Sequence, residues 1–264
     1  MSEIKLIAEI GWNHMGDMNL AEEMVRKAKE SGADYAKFQT WKVDRLKPGP
    51  WDEDGRREIY QKAELTNDKH AELQRICGKY DIEFLTSCFC ADDLDFLSTI
   101  CSQIKIPSTE CKNTKLVEQA LTLFDRLFIS TGATTEDEYQ RWADYDRVTL
   151  LHCIVSYPCD PKHINMQRML HLKELTPRFG YSGHLSTIWD AVLAISLGAT
   201  VVEKHFTLDH NLPGRDNKFA LLPKEFKKIR EFADLYPLMS ENRGIGYQEI
   251  EQDARDQYAG RWEK

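Results

Sequence analysis

At 264 residues with 42% hydrophobic content, the chain is long enough for one sizeable core, and no uninterrupted apolar run reaches the roughly 18 residues of a membrane span. Its formal charge of −8 and isoelectric point near 5.6 argue against nucleic acid or an anionic membrane as partner, because both need a basic face, so an anionic ligand must be held by a local cluster of cations. Seven cysteines (77, 88, 90, 101, 111, 153, 159), an odd set without a CxxC pair, argue against a disulfide framework or structural zinc and are read as reduced packing residues of a cytoplasmic protein.

In chain order, Met-Ser-Glu-Ile-Lys runs directly into a strand, KLIAEI, that ends at Glu9. A helix follows with a loose capping box at Asn19, Leu20, Met24 and Ala28 on one face, and Gly32 as its stop. The next strand, YAKFQ, carries Lys37 and Gln39. Segment 41–66 is too polar for core and too long for an ordinary connection, and is expected to lie over the mouth of the fold as a substrate loop. A predicted helix over 67–80 leads to EFLTS, ending at Ser87; 92–100 leads to QIKIPS, with Lys105 and Ser108; 112–123 leads to RLFIS, ending at Ser130. Helix 135–144 precedes VTLLHC with His152, 165–175 precedes RFGYS with Ser182 before His184, and 187–197 precedes TVVEKHF with Glu203, Lys204 and His205. The last helix, 223–236, has Pro223 in its first turn. Short apolar strands alternating with helices predict an α/β fold, a (β/α)8 TIM barrel over 1–240 followed by a polar tail over 241–264. In such a barrel all strand C-termini open on one face, so residues from Glu9 to His205 are expected to converge there. The joins Ser-Gly-Ala-Asp (31–34) and Leu-Gly-Ala-Thr (197–200) echo one another and lead to Lys37 and Lys204.

The motifs IAEIGWNHMGD (7–17), AKFQT (36–40), FLTSCF (84–89), IKIPSTE (104–110), ISTGAT (129–134), LLHC (150–153) followed by Tyr157-Pro158, GYSGH (180–184) and EKHFTLDHNLPGRDNKFALLPKEF (203–226) together resemble the sialic acid synthase family, in order and over essentially the whole chain. The resemblance implies a TIM barrel followed by a small antifreeze-like domain, and condensation of phosphoenolpyruvate with an aldose to a 2-keto-3-deoxy acid. It also implies a homodimer in which one chain's end domain lends an arginine to its partner's barrel. The chain reaches only Lys264, so the expectation is the barrel domain without that end domain, with the 41–66 segment (Trp41, Arg45, Trp51) serving as lid.

Phosphoenolpyruvate brings a phosphate and a carboxylate, and Lys37 and Lys105 are the expected cations, because an inward lysine in a buried strand is costly unless paired. Ser87, Ser108, Ser130 and Ser182 can donate to its oxygens; each alone is more often a turn or cap serine than a ligand, and it is their shared placement at strand ends that points to binding. Glu9 and Glu110 are expected catalytic carboxylates, Glu110 beside Lys105 and nearest the acceptor, against the plainer reading that Glu9 merely pairs with a barrel lysine. By resemblance Gln39, Tyr157 and Asp216 bind the acceptor. His184 and His205 follow neighbouring strands and are expected to share a divalent metal, with Mn2+ favoured over Mg2+ or Co2+, acting as Lewis acid on the aldehyde. His14 is expected to shape the pocket floor, His152 to pack within the barrel, and His70, His163 and His171 to lie at the surface.

Departures from the family pattern bear on the acceptor. Ser182-Gly183-His184 stands for Ser-Asp-His, Ser87-Cys88-Phe89 for Thr-Pro-Phe, and Lys105-Ile106-Pro107-Ser108 for Lys-Ile-Ala/Gly-Ser, while Ile154-Val155 replaces a polar pair. The same chemistry on an aldehyde other than N-acetylmannosamine is therefore expected. Two rival readings remain at this stage: a metal-dependent barrel lyase or aldolase on a pyruvyl substrate, and a non-catalytic homologue that binds phosphoenolpyruvate or a sugar acid.

Overall fold

A computed structural model describes residues 3–262. Eight strands, β1 (Lys5–Gly11), β2 (Tyr35–Thr40), β3 (Glu83–Cys88), β4 (Gln103–Ile106), β5 (Arg126–Ser130), β6 (Val148–Cys153), β7 (Phe179–Gly183) and β8 (Val201–His205), pair in parallel in sequence order, and β8 returns to β1 to close the barrel. The helices between and after them are α1 (Met18–Glu30), α2 (Arg56–Ala63), α3 (Asn67–Lys79), α4 (Leu94–Ser98), α5 (Thr114–Leu123), α6 (Glu136–Gln140), α7 (Met166–Leu175), α8 (Trp189–Ser196), α9 (Pro223–Met239) and α10 (Gln252–Gln257). The expected (β/α)8 TIM barrel is thus observed.

Each strand is buried on both faces, which is why the strands read as near-continuous apolar runs. Outward residues join the helices in one large core; α1, for example, buries Ala21, Met24, Val25 and Ala28 against it. Inward residues form a second, smaller cluster of Ile7, Tyr35, Leu85, Phe128, Leu151 and Val201, one from each of six strands, with Tyr35 and Phe128 edge to face at 5.8 Å. Side chains alternate along a strand, so the residue two positions on from each plug residue faces the same lumen one layer higher. That step gives Glu9, Lys37, Ser87, Ser130, Cys153 and Glu203.

Several local expectations are corrected. The cap of α1 is Asp17, whose carboxylate accepts from the Asn19 and Leu20 amides, because the helix begins at Met18 and Asn19 already lies inside it. Segment 41–66 is folded: 3-10 turns at Val43–Arg45 and Pro50–Asp52 precede α2, Val43, Ala63 and Leu65 are buried, and the Lys42 ammonium donates to the Leu65 carbonyl at 2.7 Å. His70 is not at the surface; it is buried between α3 and β2, where its ring meets Thr40 Oγ1 at 2.7 Å and the Thr66 carbonyl at 2.9 Å. A single histidine on an amphipathic helix carries no mark of the face it occupies.

All seven cysteines are unpaired. Residues 241–262 are exposed and include a 3-10 turn at Glu249–Glu251 and the short α10, and no helix among the described residues is long and apolar enough to cross a membrane.

Phe128, fully buried at the centre of the lumenal plug, tests how far the barrel depends on it. Phe128→Ala should lower the unfolding free energy by about 3–5 kcal/mol with an unchanged denaturant slope, measured by equilibrium urea unfolding.

Candidate active site at the barrel mouth

The strand register sets one ring of polar groups at the C-terminal end of the lumen. Glu9 is paired with Lys37 across β1 and β2, Ser87 with Lys105 across β3 and β4, Ser182 with Glu203 across β7 and β8, and His205 with Glu9 across β8 and β1. Lys105 on β4 donates to Glu203 on β8 at 2.8 Å, and those strands stand on opposite sides of the barrel, so the pair spans the lumen. Glu203 also accepts from Ser182 Oγ at 3.0 Å and lies 3.7 Å from the Lys37 ammonium. Lys37 sits 2.7 Å from Glu9 Oε2, off the hydrogen-bonding directions of that oxygen, and donates to Ser87 Oγ at 2.8 Å. Gln39 donates to Glu9 Oε1 at 2.7 Å. Gly11, at φ +56°, permits this approach: a Cβ there would fall 3.1 Å from Glu9 Oε1 and 3.2 Å from Gln39 Nε2.

Two carboxylates and two ammoniums, all at most 6% exposed, form one neutral network. Its members are not equivalent. Burial raises the Glu9 carboxyl above the ordinary range, against Lys37, and Glu203 adds to the rise. Burial acts on Glu203 in the same sense, yet Lys105 and Lys37 together hold it well below the usual carboxylate value. Burial depresses Lys105 despite Glu203 beside it, whereas Lys37, burial notwithstanding, is raised by Glu203 and Glu9. Glu203 is the residue to which sequence reasoning assigned no role. Its signal was available in the strand alternation, which places it inward beside His205.

Ser108 Oγ accepts from the Gly132 amide at 3.1 Å, and the buried Ser130 Oγ, in the same layer as Glu9 and Lys37, has no protein partner. Glu110 occupies the 3-10 turn Ser108–Glu110 and accepts from Asn113 at 3.0 Å; the carboxylate that accepts from Lys105 is Glu203 and not Glu110. Lys204 does not enter the pocket. Alternation turns it outward, between the inward Glu203 and His205, onto Asp190 of α8. His152 likewise faces the helix layer, with Nε2 2.7 Å from the Ile164 carbonyl. His14 is buried against Phe38 with Nδ1 accepting from the Gly16 amide. His163 is exposed and His171 partly exposed.

His184 and His205 do meet, with ring centroids 5.4 Å apart. His184 Nδ1 donates to the Ile154 carbonyl at 2.7 Å, which leaves Nε2 as the lone-pair nitrogen. Burial pushes His184 down to about 4, and burial together with His184 lowers His205 well below its ordinary value, so both rings are neutral. With metal–nitrogen distances of about 2.1 Å, two imidazoles sharing one ion keep their centroids roughly 5 Å apart, so this donor pair fits a divalent cation. No group of three or more His, Cys, Asp or Glu donors converges among the described residues, so such an ion would take its other ligands from water or substrate.

The rim is aromatic. Tyr157 packs on His184 at 4.1 Å, and Asp216 Oδ2 lies 3.7 Å from His205 Nδ1 while accepting from the Trp12 indole at 3.0 Å. Burial raises Asp216 to about 6 against that bond. Tyr60 of α2 packs edge-on against both Trp12 and Trp41 at 5.7 Å, so the 41–66 segment does reach the mouth. Of its three marked residues only Trp41 belongs to this wall: Arg45 is engaged by Asp93 and Trp51 by the Lys47 carbonyl.

Removing the central carboxylate tests the network. Glu203→Gln leaves Lys105 buried without its counter-ion and should cost about 3–5 kcal/mol at neutral pH. The folded carboxyl lies below its ordinary 4.5, so its contribution is complete above that pH and is lost as pH falls through the depressed folded value. The stability gap between variant and parent, measured by urea unfolding at a series of pH values, should therefore narrow below pH 4.5.

The NeuB family model matches residues 24–239. The chain is 34% identical over 250 residues to N,N'-diacetyllegionaminic acid synthase of Campylobacter jejuni, covering 87% of this chain and 75% of that protein. It is 34% identical over 247 residues to pseudaminic acid synthase of Helicobacter pylori, covering 86% and 72% respectively. Among solved structures, N-acetylneuraminic acid (sialic acid) synthetase from Leptospira borgpetersenii, in complex with citrate, superposes with a TM-score of 0.86 at 27% identity, covering 100% of this chain and 94% of that one. With its family model matched over the barrel and with acidic-sugar synthases among its relatives, the chain belongs to the NeuB family.

Proposed function

We propose that this enzyme condenses phosphoenolpyruvate with an aldose, forming a C–C bond and a 2-keto-3-deoxy sugar acid and releasing inorganic phosphate. The observation that carries the reading is the pair of buried lysines, Lys37 and Lys105, held at the lumen mouth beside the unpartnered Ser130 hydroxyl. Two ammoniums and a free donor suit a ligand with a phosphate and a carboxylate, and the relatives that make legionaminic and pseudaminic acids support the product class.

In this reading Lys105, Ser108, Ser130 and Ser182 hold the anionic groups, while Lys37 and Ser87 complete the cradle. C3 of phosphoenolpyruvate attacks the aldehyde carbon and the aldehyde oxygen takes up a proton. Water adds to C2 and gives its proton to Glu9, whose raised affinity for protons suits a general base near neutrality. The C2–O bond to phosphate then breaks as the C2 hydroxyl proton passes to the departing phosphate, leaving the ketone and inorganic phosphate, and the proton that Glu9 took from water balances the one taken up by the aldehyde oxygen. Glu110, Gln39, Tyr157 and Asp216 border the acceptor. A divalent ion, Mn2+ or Co2+ in preference to Mg2+ given the imidazole donors, would supply Lewis-acid polarisation of the aldehyde when held by His184 and His205.

The decisive assay incubates the protein with phosphoenolpyruvate, Mn2+ and a panel of N-acetylmannosamine, its 6-phosphate, arabinose 5-phosphate, erythrose 4-phosphate and simple aldoses. Phosphate release should require one of the aldoses and match a keto-acid product; release without a condensed product, or none with any aldose, would overturn the reading. Each lysine should contribute charge-assisted bonds worth about 1.5–3 kcal/mol, so Lys37→Met or Lys105→Met should weaken calorimetric phosphoenolpyruvate affinity roughly ten- to a hundredfold. Mn2+ affinity should be lost in His184→Ala/His205→Ala; full retention would place the metal elsewhere.

A further inference from the structure

We infer that the buried Lys204–Asp190 pair is a positioning device that fixes the His184 loop against the strand carrying His205, and that Gly183 is the residue that makes room for it. The relevance to metal binding rests on the assignment of those two histidines above.

The two imidazoles come from different elements, and their separation needs something that ties one element to the other. Lys204 supplies it. Its ammonium donates to Asp190 Oδ1 at 2.9 Å, to Asp190 Oδ2 at 2.7 Å and to the Leu185 carbonyl at 2.8 Å, so all three N–H bonds are used. Leu185 follows His184 directly, and Lys204 precedes His205. One buried side chain therefore bonds the backbone next to the first imidazole from the strand residue next to the second. The rest of the His184 turn is held by Cys159, whose amide donates to the His184 carbonyl at 3.0 Å, and by Ile154 at Nδ1.

Asp190 comes from the first turn of α8 and is oriented by the Tyr181 hydroxyl at 3.1 Å and the Ala191 amide at 2.9 Å. Its carboxylate reaches Lys204 only because position 183, which pairs with Lys204 in the sheet, carries no side chain. A Cβ there would lie 2.4 Å from Asp190 Oδ2 and 2.3 Å from the Tyr181 ring, closer than either can tolerate.

A buried ion pair is weak evidence for stability, since a well-packed apolar pair often replaces it without loss. An apolar pair cannot hold the Leu185 carbonyl, and that difference separates positioning from mere packing. The test is Tyr181→Phe/Asp190→Leu/Lys204→Met, which removes the whole polar set, with Asp190→Asn as the milder variant should the triple not fold. In folded variants of either kind, phosphoenolpyruvate affinity should be unchanged and Mn2+ affinity, by electron paramagnetic resonance titration, should fall, ten- to a hundredfold in the triple. The His184 Nδ1–H resonance of histidine-labelled protein should shift or exchange faster, with that of His152 unmoved. A folded variant that keeps both Mn2+ affinity and the His184 resonance overturns the inference. If His184→Ala/His205→Ala keeps its Mn2+ affinity, the metal assignment falls and the His184 resonance alone decides the clamp.

Discussion

Four charges buried in the mouth of a barrel impose the constraint on which the rest of this molecule depends. Lys105 and Glu203 meet across the full lumen, with Lys37 and Glu9 attached at one side. Taking each ion out of water costs several kcal/mol, and only close geometry in a low-dielectric interior returns it. The barrel provides that geometry because its plug of Ile7, Tyr35, Leu85, Phe128, Leu151 and Val201 closes the lumen immediately beneath and excludes water from that side. The network is neutral when all four groups are charged, but its carboxylates differ, with Glu203 held ionised by both lysines and Glu9 pushed toward its protonated form. Both ammoniums are therefore fixed in place by the scaffold itself.

β8 shows how one strand serves three tasks through alternation alone. Glu203 and His205 enter the lumen, where one anchors the charge network and the other faces His184. Lys204, between them, leaves the lumen and bonds the β7–α8 connection from behind. A residue on each face of the sheet thus places the same pair of imidazoles. The departure at Gly183 makes physical sense in this light: the space a side chain would need is filled by Asp190 and Tyr181.

The rim is built differently. Trp12, Tyr60 and Trp41 make an aromatic wall above Asp216 and Gln39, and Tyr157 covers His184. Of these groups Trp12, Trp41, Tyr157 and Asp216 lie on the connections that follow strands, Tyr60 lies on α2 and Gln39 on β2, while the charge network sits on registered strands.

The barrel was legible in the sequence because the strands are short, mostly apolar runs with a polar or ionisable residue at or near their C-terminal ends, and because segments of 3.6-residue periodicity separate them. The same pattern marked Glu9, Lys37, Ser87, Lys105, Ser130, Ser182 and His205, each of which lines the mouth. What the sequence left undetermined were partnerships between residues far apart along it. Lys105 could be placed inward, but its bond to Glu203 depends on two strands facing each other across a closed sheet. Lys204 read like Lys37 because both end a Gly-Ala-led strand, yet one-residue parity sends them to opposite faces. His70 and the 41–66 segment read as surface and loop because their burial comes from elements packed over them. Local pattern determined which residues are strand, helix and mouth; closure of the barrel decided which charges meet, since pairing energy depends on distance in space and not on separation along the chain.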